Sequence, residues 1–141
     1  MCLEILKTTP PFRVLVVDDT ADVRVVLTKI LRRIGLEVET ANDGQQGHDI
    51  ALGARDAGHP FDLVLMDMQM PIMDGFSATI LLREHQYGGR IVAVTGMGDA
   101  RNQCLLAGCD DFIAKPIALE MLQRMILSQI VSTKHLRDIS A

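Results

Sequence analysis

The strongest constraint on the fold is a regular alternation of short apolar runs with longer segments of helical spacing. The runs at 13–17 and 61–66 are bounded by proline, glycine or aspartate, which is typical of strands buried on both faces. The run at 36–41 alternates apolar and polar residues and predicts a strand nearer the sheet edge. Further strands are predicted at 90–94 and 112–114.

Helical spacing separates these runs. Thr20 or Asp19 can cap a first helix that ends near Gly35, and a weaker helix follows at 45–57. Three more helices are predicted. One covers 76–84 and can be opened by the turn signal Asp74-Gly75, and a short one is capped by Asp99 and ended by Gly108. The last covers 118–136, and its apolar face carries Leu119, Leu122, Met125, Ile126 and Ile130. Five strands alternating with five helices predict an α/β fold with a parallel sheet and helices on both faces.

Length and composition limit the class of protein. The 141 residues suit one domain, and a hydrophobic content of 48% supports a real core. A formal net charge of −4 is wrong for a domain that binds nucleic acid by itself. No apolar run is long enough to cross a membrane, and the first residues lack the apolar core of a signal peptide. The three cysteines, Cys2, Cys104 and Cys109, lack metal-like spacing and predict reduced thiols in a cytoplasmic protein.

Polar residues stand where four of the predicted strands end. They are the pair Asp18 and Asp19, then Asp67, Thr95 and Lys115. In a parallel sheet these ends share one edge, so three carboxylates, a hydroxyl and an ammonium group converge. Clustered carboxylates repel one another and need a cation, and hard oxygen ligands suit Mg²⁺. Such a metal with Lys115 and Thr95 would clamp a phosphoryl group, and ionised Asp67 could attack its phosphorus.

Each of these residues also has a structural interpretation. Asp18 and Asp19 could be helix caps, Asp67 could cap a turn, Thr95 could be a turn hydroxyl and Lys115 a solvated charge. The joint occurrence of all of them at strand ends, in this order, favours a functional site. Gly96, which has no side chain, would leave the approach to Asp67 open.

The sequence resembles the receiver domain of two-component response regulators. The resemblance rests on the pair Asp18-Asp19, on MDMQMPIMDG at 66–75, on Thr95 and on Lys115-Pro116. It implies a flavodoxin-like (CheY-like) sheet in the order 2-1-3-4-5, a topology for which CheY itself is a standard example. It also implies a lead-in at 1–11, a receiver domain at 12–131 and a helix extension or tail at 132–141. The sequence of 66–75 is most similar to that of receivers attached to hybrid histidine kinases, although a standalone receiver remains an alternative.

The resemblance implies a role for each site residue. Asp67 would be the phosphoacceptor, and Asp18 or Asp19 would hold Mg²⁺ together with Asp67 and the backbone carbonyl of Gln69. Lys115 would pair with the phosphate.

The resemblance also implies a switch and partners. Thr95 would bind a phosphoryl oxygen and act as a switch with the aromatic Phe112, and the Lys115–Pro116 bond would be cis. A histidine kinase or a histidine phosphotransfer protein would donate the phosphoryl group. The fourth helix, fifth strand and final helix would contact an output partner or a second copy. The protein would catalyse only its own phosphorylation and dephosphorylation.

Two other functions fit parts of the pattern. A phosphatase of the haloacid dehalogenase type also uses Mg²⁺ and an aspartyl phosphate, but it needs an aspartate where this chain has Gln69. A flavodoxin-like cofactor binder would have a loop rich in Ser, Thr and Gly after the first strand. Asp18 and Asp19 at that point would instead repel a phosphate that lacked a metal.

Three features depart from the family pattern. Gly96-Met97-Gly98 follows Thr95, and Met97 cannot orient a water, which predicts slow self-dephosphorylation. The opposing feature is the pair Gly96 and Gly98, which could let Met97 swing away and admit water. Phe112 lacks a tyrosine hydroxyl, so its switch would work by packing alone. The register of the final helix continues to Leu136 and Ile139, which predicts either a partner surface or a frayed tail.

Overall fold

The computed structural model describes residues 11–96 and 100–140, with side chains through residue 132. The predictions that rest on Cys2, Met97 and Asp99, and on the side chains of Leu136 and Ile139, lie outside the described part and stay predictions. Within the described ranges, no helix is long and apolar enough to cross a membrane.

Strands and helices alternate along the chain as predicted. The five strands are β1 (Arg13–Val17), β2 (Glu37–Ala41), β3 (Leu63–Asp67), β4 (Arg90–Thr95) and β5 (Asp111–Ala114). The five helices are α1 (Ala21–Arg33), α2 (Gly44–Asp56), α3 (Gly75–Glu84), α4 (Arg101–Ala107) and α5 (Leu119–Ser140). All strand pairs are parallel, and their order β2-β1-β3-β4-β5 confirms the predicted topology.

The register of the sheet brings the carboxyl ends of its strands to one edge. Val17 of β1 is level with Met66 of β3, so Asp18 follows beside Asp67. Asp67 is level with Val94 of β4, and Thr95 is level with Ala114 of β5. The polar residues that end these strands are therefore neighbours in space.

Helices cover both faces of the sheet and enclose two apolar cores. On one face, α1 and α5 contribute Leu27, Leu31, Ile34, Leu122, Ile126 and Ile130. On the other face, α2, α3 and α4 contribute Ala51, Ala78, Leu82 and Cys104. Every residue of β3 is buried, as expected for a central strand covered on both sides.

The helix ends show where local sequence decides the structure and where it does not. Gly35 and Gly108 follow α1 and α4 with φ of 98° and 114°, a left-handed conformation that glycine adopts at little cost. Thr20 is the N-cap of α1 but makes no side-chain cap hydrogen bond, and α4 begins after Ala100. Leu119, predicted on the apolar face of α5, is the first residue of that helix and is exposed, but it lines a groove with Leu122 and Leu27 and so lies on the predicted face.

Arg83 ties together the loops at the opposite edge of the sheet. Its guanidinium donates to the carbonyl oxygens of Tyr87, Gly89 and Gly108 at 2.6–2.9 Å. It also lies 3.1 Å from Oδ2 of Asp110, which accepts from the backbone N–H of Ile91. Arg83 therefore links the end of α3 to the starts of β4 and β5.

Candidate functional site

Asp67 lies at the end of β3 with only 1% of its surface exposed. Its Oδ1 accepts a hydrogen bond from the backbone N–H of Gln69 at 3.0 Å and lies 3.1 Å from Nζ of Lys115. Its Oδ2 is buried and has no hydrogen-bond partner among the described residues. Because buried polar atoms are normally paired, this oxygen is the one to which a bound cation or an incoming group would attach.

The surroundings of Asp67 act on its ionisation in opposite directions. Burial raises the pKa of the Asp67 carboxyl above its usual range, and the negative charge of Asp18 adds to that increase. The Gln69 N–H and the Lys115 ammonium lower the pKa, but they do not cancel the effect of burial. A further positive charge at the site would favour the ionised carboxylate, which is the nucleophilic form.

Asp18 and Asp19 complete an acidic cluster with Asp67. Carboxylate oxygens of the three residues all lie within 4.8 Å of one another. Asp18 is buried, and its Oδ1 accepts from the backbone N–H of Thr20 at 2.8 Å, while Asp19 is exposed. Such a set of hard oxygen ligands with an open side is consistent with Mg²⁺, which keeps several waters when it binds.

Two cations border this cluster. Nζ of Lys115 lies 3.9 Å from Oδ2 of Asp18, farther than from Asp67, so Asp67 is its closer partner. The guanidinium of Arg24 in α1 donates to the backbone carbonyl of Asp18 at 2.6 Å. The sequence pattern did not single out Arg24, because the contact depends on the way α1 packs beside β1.

Thr95 and Lys115 stand side by side at the ends of β4 and β5. The backbone N–H of Lys115 donates to the carbonyl of Thr95 at 2.8 Å, and Thr95 is buried. The Lys115–Pro116 bond is cis, as predicted. Gly96 is exposed, and a Cβ added there would meet no atom closer than 3.8 Å, so the approach on this side is open.

Phe112 of β5 is partly buried and contacts the core under α4. The guanidinium of Arg101, at the start of α4, lies 5.7 Å from the centre of its ring, within the range of a cation–π interaction. The sequence indicated Phe112 but gave no sign of Arg101.

The loop between β3 and α3 follows Asp67 directly and is held by backbone hydrogen bonds. The backbone N–H groups of Gly75 and Gly44 donate to the carbonyls of Met68 and Met73 at 3.3 and 3.1 Å. Ile72 has a φ of 70°, which is rare for a β-branched residue, and its side chain is 86% exposed. The Oδ1 of Asp74 accepts from the N–H of Ser77 at 2.7 Å and caps α3, which confirms the predicted helix start.

Comparison with known proteins decides the family. The sequence of residues 14–127 matches the family pattern of the response regulator receiver domain. The chain belongs to this family. This receiver is therefore a domain of two-component signalling.

Two relatives show the settings in which similar receivers occur. A two-component response regulator of Oryza sativa subsp. japonica is 39% identical over 112 residues, which cover 78% of this chain and 87% of the relative. The hybrid signal transduction histidine kinase G of Dictyostelium discoideum is 33% identical over 86% of this chain. The chain spans only 4–11% of the length of three such Dictyostelium kinases.

Two solved structures resemble this receiver in fold. The receiver domain of a sensor histidine kinase of Pseudomonas aeruginosa PAO1 was solved with magnesium ion coordinated in its active-site cleft. It is 33% identical with a TM-score of 0.74, and the match covers 85% of this chain and 98% of that one. The receiver domain of Ssk1 from Saccharomyces cerevisiae was solved with the histidine phosphotransfer protein Ypd1. It is 28% identical with a TM-score of 0.72, covering 82% and 86% of the two chains.

Metal binding at the acidic cluster should depend on both aspartates that follow β1. We expect Asp18→Ala and Asp19→Ala each to weaken Mg²⁺ binding roughly tenfold or more. Mutation of a residue that only orients a metal ligand already lowers metal affinity by about that factor. Calorimetric titration with Mg²⁺ measures the change. Asp22→Ala, an exposed acidic residue in the first turn of α1, is the matched control and should bind as the natural protein does. Equal affinities in all four proteins would remove Asp18 and Asp19 from the site.

Proposed function

We propose that this receiver accepts a phosphoryl group on Asp67 in a Mg²⁺-dependent reaction and then changes the surface formed by α4, β5 and α5. The observation that carries the proposal is the unpaired, buried Oδ2 of Asp67, with Oδ1 fixed by Gln69 and Lys115. One oxygen of the carboxylate is held in place, and the other is left for the reaction.

The covalent step is a transfer from a phosphohistidine to a carboxylate. Oδ2 of Asp67 attacks the phosphorus, a new O–P bond forms, and the N–P bond to the donor histidine breaks, leaving its electron pair on the nitrogen. When bound by the Asp18, Asp19 and Asp67 carboxylates and the Gln69 carbonyl, Mg²⁺ would neutralise the charge that develops on the phosphoryl oxygens. Lys115, already 3.1 Å from Oδ1, would then pair with the phosphoryl group.

The donor is a histidine kinase or a histidine phosphotransfer protein. This proposal is supported by the similarity to receivers within hybrid histidine kinases and to a receiver solved with a phosphotransfer protein. Residues 12–131 would be the unit that is recognised, with 132–141 as an extension of α5. The protein would catalyse only its own phosphorylation and dephosphorylation, and a cytoplasmic location stays a prediction.

The switch would run from Thr95 to Phe112. Once Asp67 carries a phosphoryl group, the Thr95 hydroxyl would bind one of its oxygens, and the ring of Phe112 would repack toward the space that Thr95 leaves. That movement would take the ring away from Arg101, which now lies over it at 5.7 Å. The start of α4 would shift, and with it the exposed Leu105 and Leu106, where an output partner or a second copy would bind.

Phosphorylation by a small phosphodonor tests the proposal. With acetyl phosphate and excess Mg²⁺, intact-protein mass spectrometry should show one added phosphoryl group per chain. Hydroxylamine should remove it, since it cleaves acyl phosphates, and a chelator added beforehand should prevent it. A label that resists hydroxylamine, or that forms equally well without Mg²⁺, would contradict the proposal.

The same samples test the switch. We expect amide hydrogen exchange in residues 101–107 and 111–114 to change on phosphorylation, whereas exchange in the central strand β3 should stay constant. If hydrogen exchange in α4 and β5 is identical in the two states, the proposed switch is wrong, although the proposal that Asp67 is phosphorylated still stands.

A further inference from the structure

His48 is a buried histidine of α2 that the phosphoacceptor site does not use. Only 7% of its surface is exposed, and its Nδ1 lies 2.9 Å from Oδ1 of Asp49. In this pair the carboxylate of Asp49 accepts the proton of Nδ1. In that tautomer the lone pair of the ring is on Nε2.

The Nε2 atom of His48 is fully buried and has no hydrogen-bond partner among the described residues. A buried nitrogen with a free lone pair needs a ligand, because a buried polar atom without a partner is costly. A carboxylate that holds Nδ1–H while Nε2 faces a ligand is also the arrangement that orients metal-binding histidines. His48 thus resembles a metal ligand, and a second protein ligand would come from outside α2.

A second imidazole lies beside it. His85, the residue that ends α3, has its ring centre 5.3 Å from the ring centre of His48, and the ring planes are inclined at 54°. A tetrahedral ion with metal–nitrogen bonds of about 2.0–2.1 Å places the centres of two bound imidazoles about 5 Å apart. The distance between the two ring centres therefore fits a shared ion.

The charges around the pair allow a cation. Asp49 supplies a negative charge next to His48. Arg55 is the nearby positive group, and its guanidinium is engaged by the carbonyl of His85 at 2.8 Å and by Oδ1 of Asp56 at 3.0 Å. These contacts hold the backbone of His85 in place and partly neutralise the charge of Arg55.

We propose that Nε2 of His48 and the imidazole of His85 bind one divalent transition-metal ion between α2 and α3, with waters completing its coordination. Imidazole nitrogens suit Zn²⁺, Ni²⁺ and Cu²⁺, whereas the oxygen ligands at Asp67 suit Mg²⁺. The site lies in helices on the face of the sheet opposite to α1 and α5, so it differs from the acidic cluster in both ligands and position.

Titration with Ni²⁺ and Zn²⁺ tests this proposal on the full chain. Excess Mg²⁺ is present throughout to occupy the acidic cluster, and all proteins carry Cys2→Ser so that this thiol cannot bind metal. Calorimetry should show one strong Ni²⁺ or Zn²⁺ site per chain. Its affinity should fall at least tenfold in His48→Gln and in His85→Gln. In the control His59→Gln, which changes an exposed histidine, the affinity should be unchanged.

Thermal unfolding gives a second readout. A metal that binds only the folded state at about a hundredfold excess over its Kd should raise Tm by roughly 5–10 °C, and neither histidine variant should respond. His85 is exposed, so His85→Gln can decide the question even if His48→Gln fails to fold. No binding by the natural protein, or binding that His85→Gln leaves unchanged, would overturn the proposal. Phosphorylation with Mg²⁺ should be the same in His85→Gln, so failure here is distinguishable from failure at Asp67.

Discussion

Asp67→Asn is expected to abolish phosphoryl incorporation completely and to leave the receiver folded. The amide is nearly the same size as the carboxyl, so the backbone N–H of Gln69 still has an oxygen to which it can donate. The amide nitrogen, however, has no lone pair suited to attack phosphorus, and the acidic cluster loses one of its three charges. Mass spectrometry after treatment with acetyl phosphate and Mg²⁺ measures the loss.

The same substitution should stabilise the protein in the absence of Mg²⁺. Burial raises the pKa of Asp67 in the folded protein, so the folded state binds the proton more tightly than the unfolded chain does. The stability that this group contributes is fully present below the ordinary aspartate pKa and is lost as pH rises through the raised value. At neutral pH the ionised carboxylate is a net cost, and Asp67→Asn should recover about 1 kcal/mol, the scale of one unsatisfied buried polar group.

Denaturation in urea at several pH values checks this effect. The free energy of unfolding of Asp67→Asn should exceed that of the natural protein at pH 7. The two values should approach each other in acid, where the natural Asp67 carboxyl is protonated. Mg²⁺ should stabilise the natural protein more than the variant. Asp62→Asn is the control, since Asp62 lies just before the same strand and its Oδ2 accepts from the N–H of Arg13 at 2.8 Å. A label that persists in Asp67→Asn would place the acceptor elsewhere.

The fold could be predicted because its signals are local. Strands such as β3 are continuous apolar runs ended by polar residues. The helix ends at Gly35 and Gly108 need a left-handed conformation, which a glycine in the sequence predicts. Once the strands are parallel, their carboxyl ends must share an edge. The convergence of Asp18 and Asp67 followed from that rule without any knowledge of side-chain packing.

The parts that could not be predicted depend on how helices pack. Arg101 reaches the ring of Phe112 only because α4 begins beside β5, and Arg24 reaches Asp18 only because α1 lies over the end of β1. Likewise, His48 and His85 are far apart in sequence, and their contact requires a particular orientation of α2 against α3. No periodic pattern in the chain encodes these three contacts.

Gly75 has one role that the sequence predicts and another that only the packing reveals. Gly75→Ala should be strongly destabilising. The sequence indicated that Asp74-Gly75 opens a helix, and α3 does begin there. What the sequence could not show is that a Cβ at residue 75 would overlap the backbone carbonyl of Asp67 and lie 2.8 Å from Cα of Met68. Because both obstacles are backbone atoms, they cannot move aside by a change of rotamer. We expect a loss of about 3 kcal/mol in the free energy of unfolding, at the upper end for overpacked sites.

Gly53→Ala is the matched control for this prediction. Gly53 lies within α2, and a Cβ added there would meet nothing within 4 Å. Alanine is the better helix former, so this variant should gain up to about 1 kcal/mol. Urea denaturation of the two variants beside the natural protein gives the comparison. A Gly75→Ala protein as stable as the natural one would show that the loop after β3 can move away without cost.

The same variant also tests how strictly the geometry of Asp67 must be kept. If Gly75→Ala remains folded at low temperature, the added methyl group still pushes on the carbonyl of Asp67, the residue that we propose attacks phosphorus. A displacement of about 1 Å at a reacting group can cost on the order of a hundredfold in rate. Labelling of the folded variant should therefore be at least tenfold slower than labelling of the natural protein, whereas Gly53→Ala should be labelled at the natural rate. Equal rates in a destabilised but folded Gly75→Ala would mean that the loop, and not Asp67, absorbs the strain.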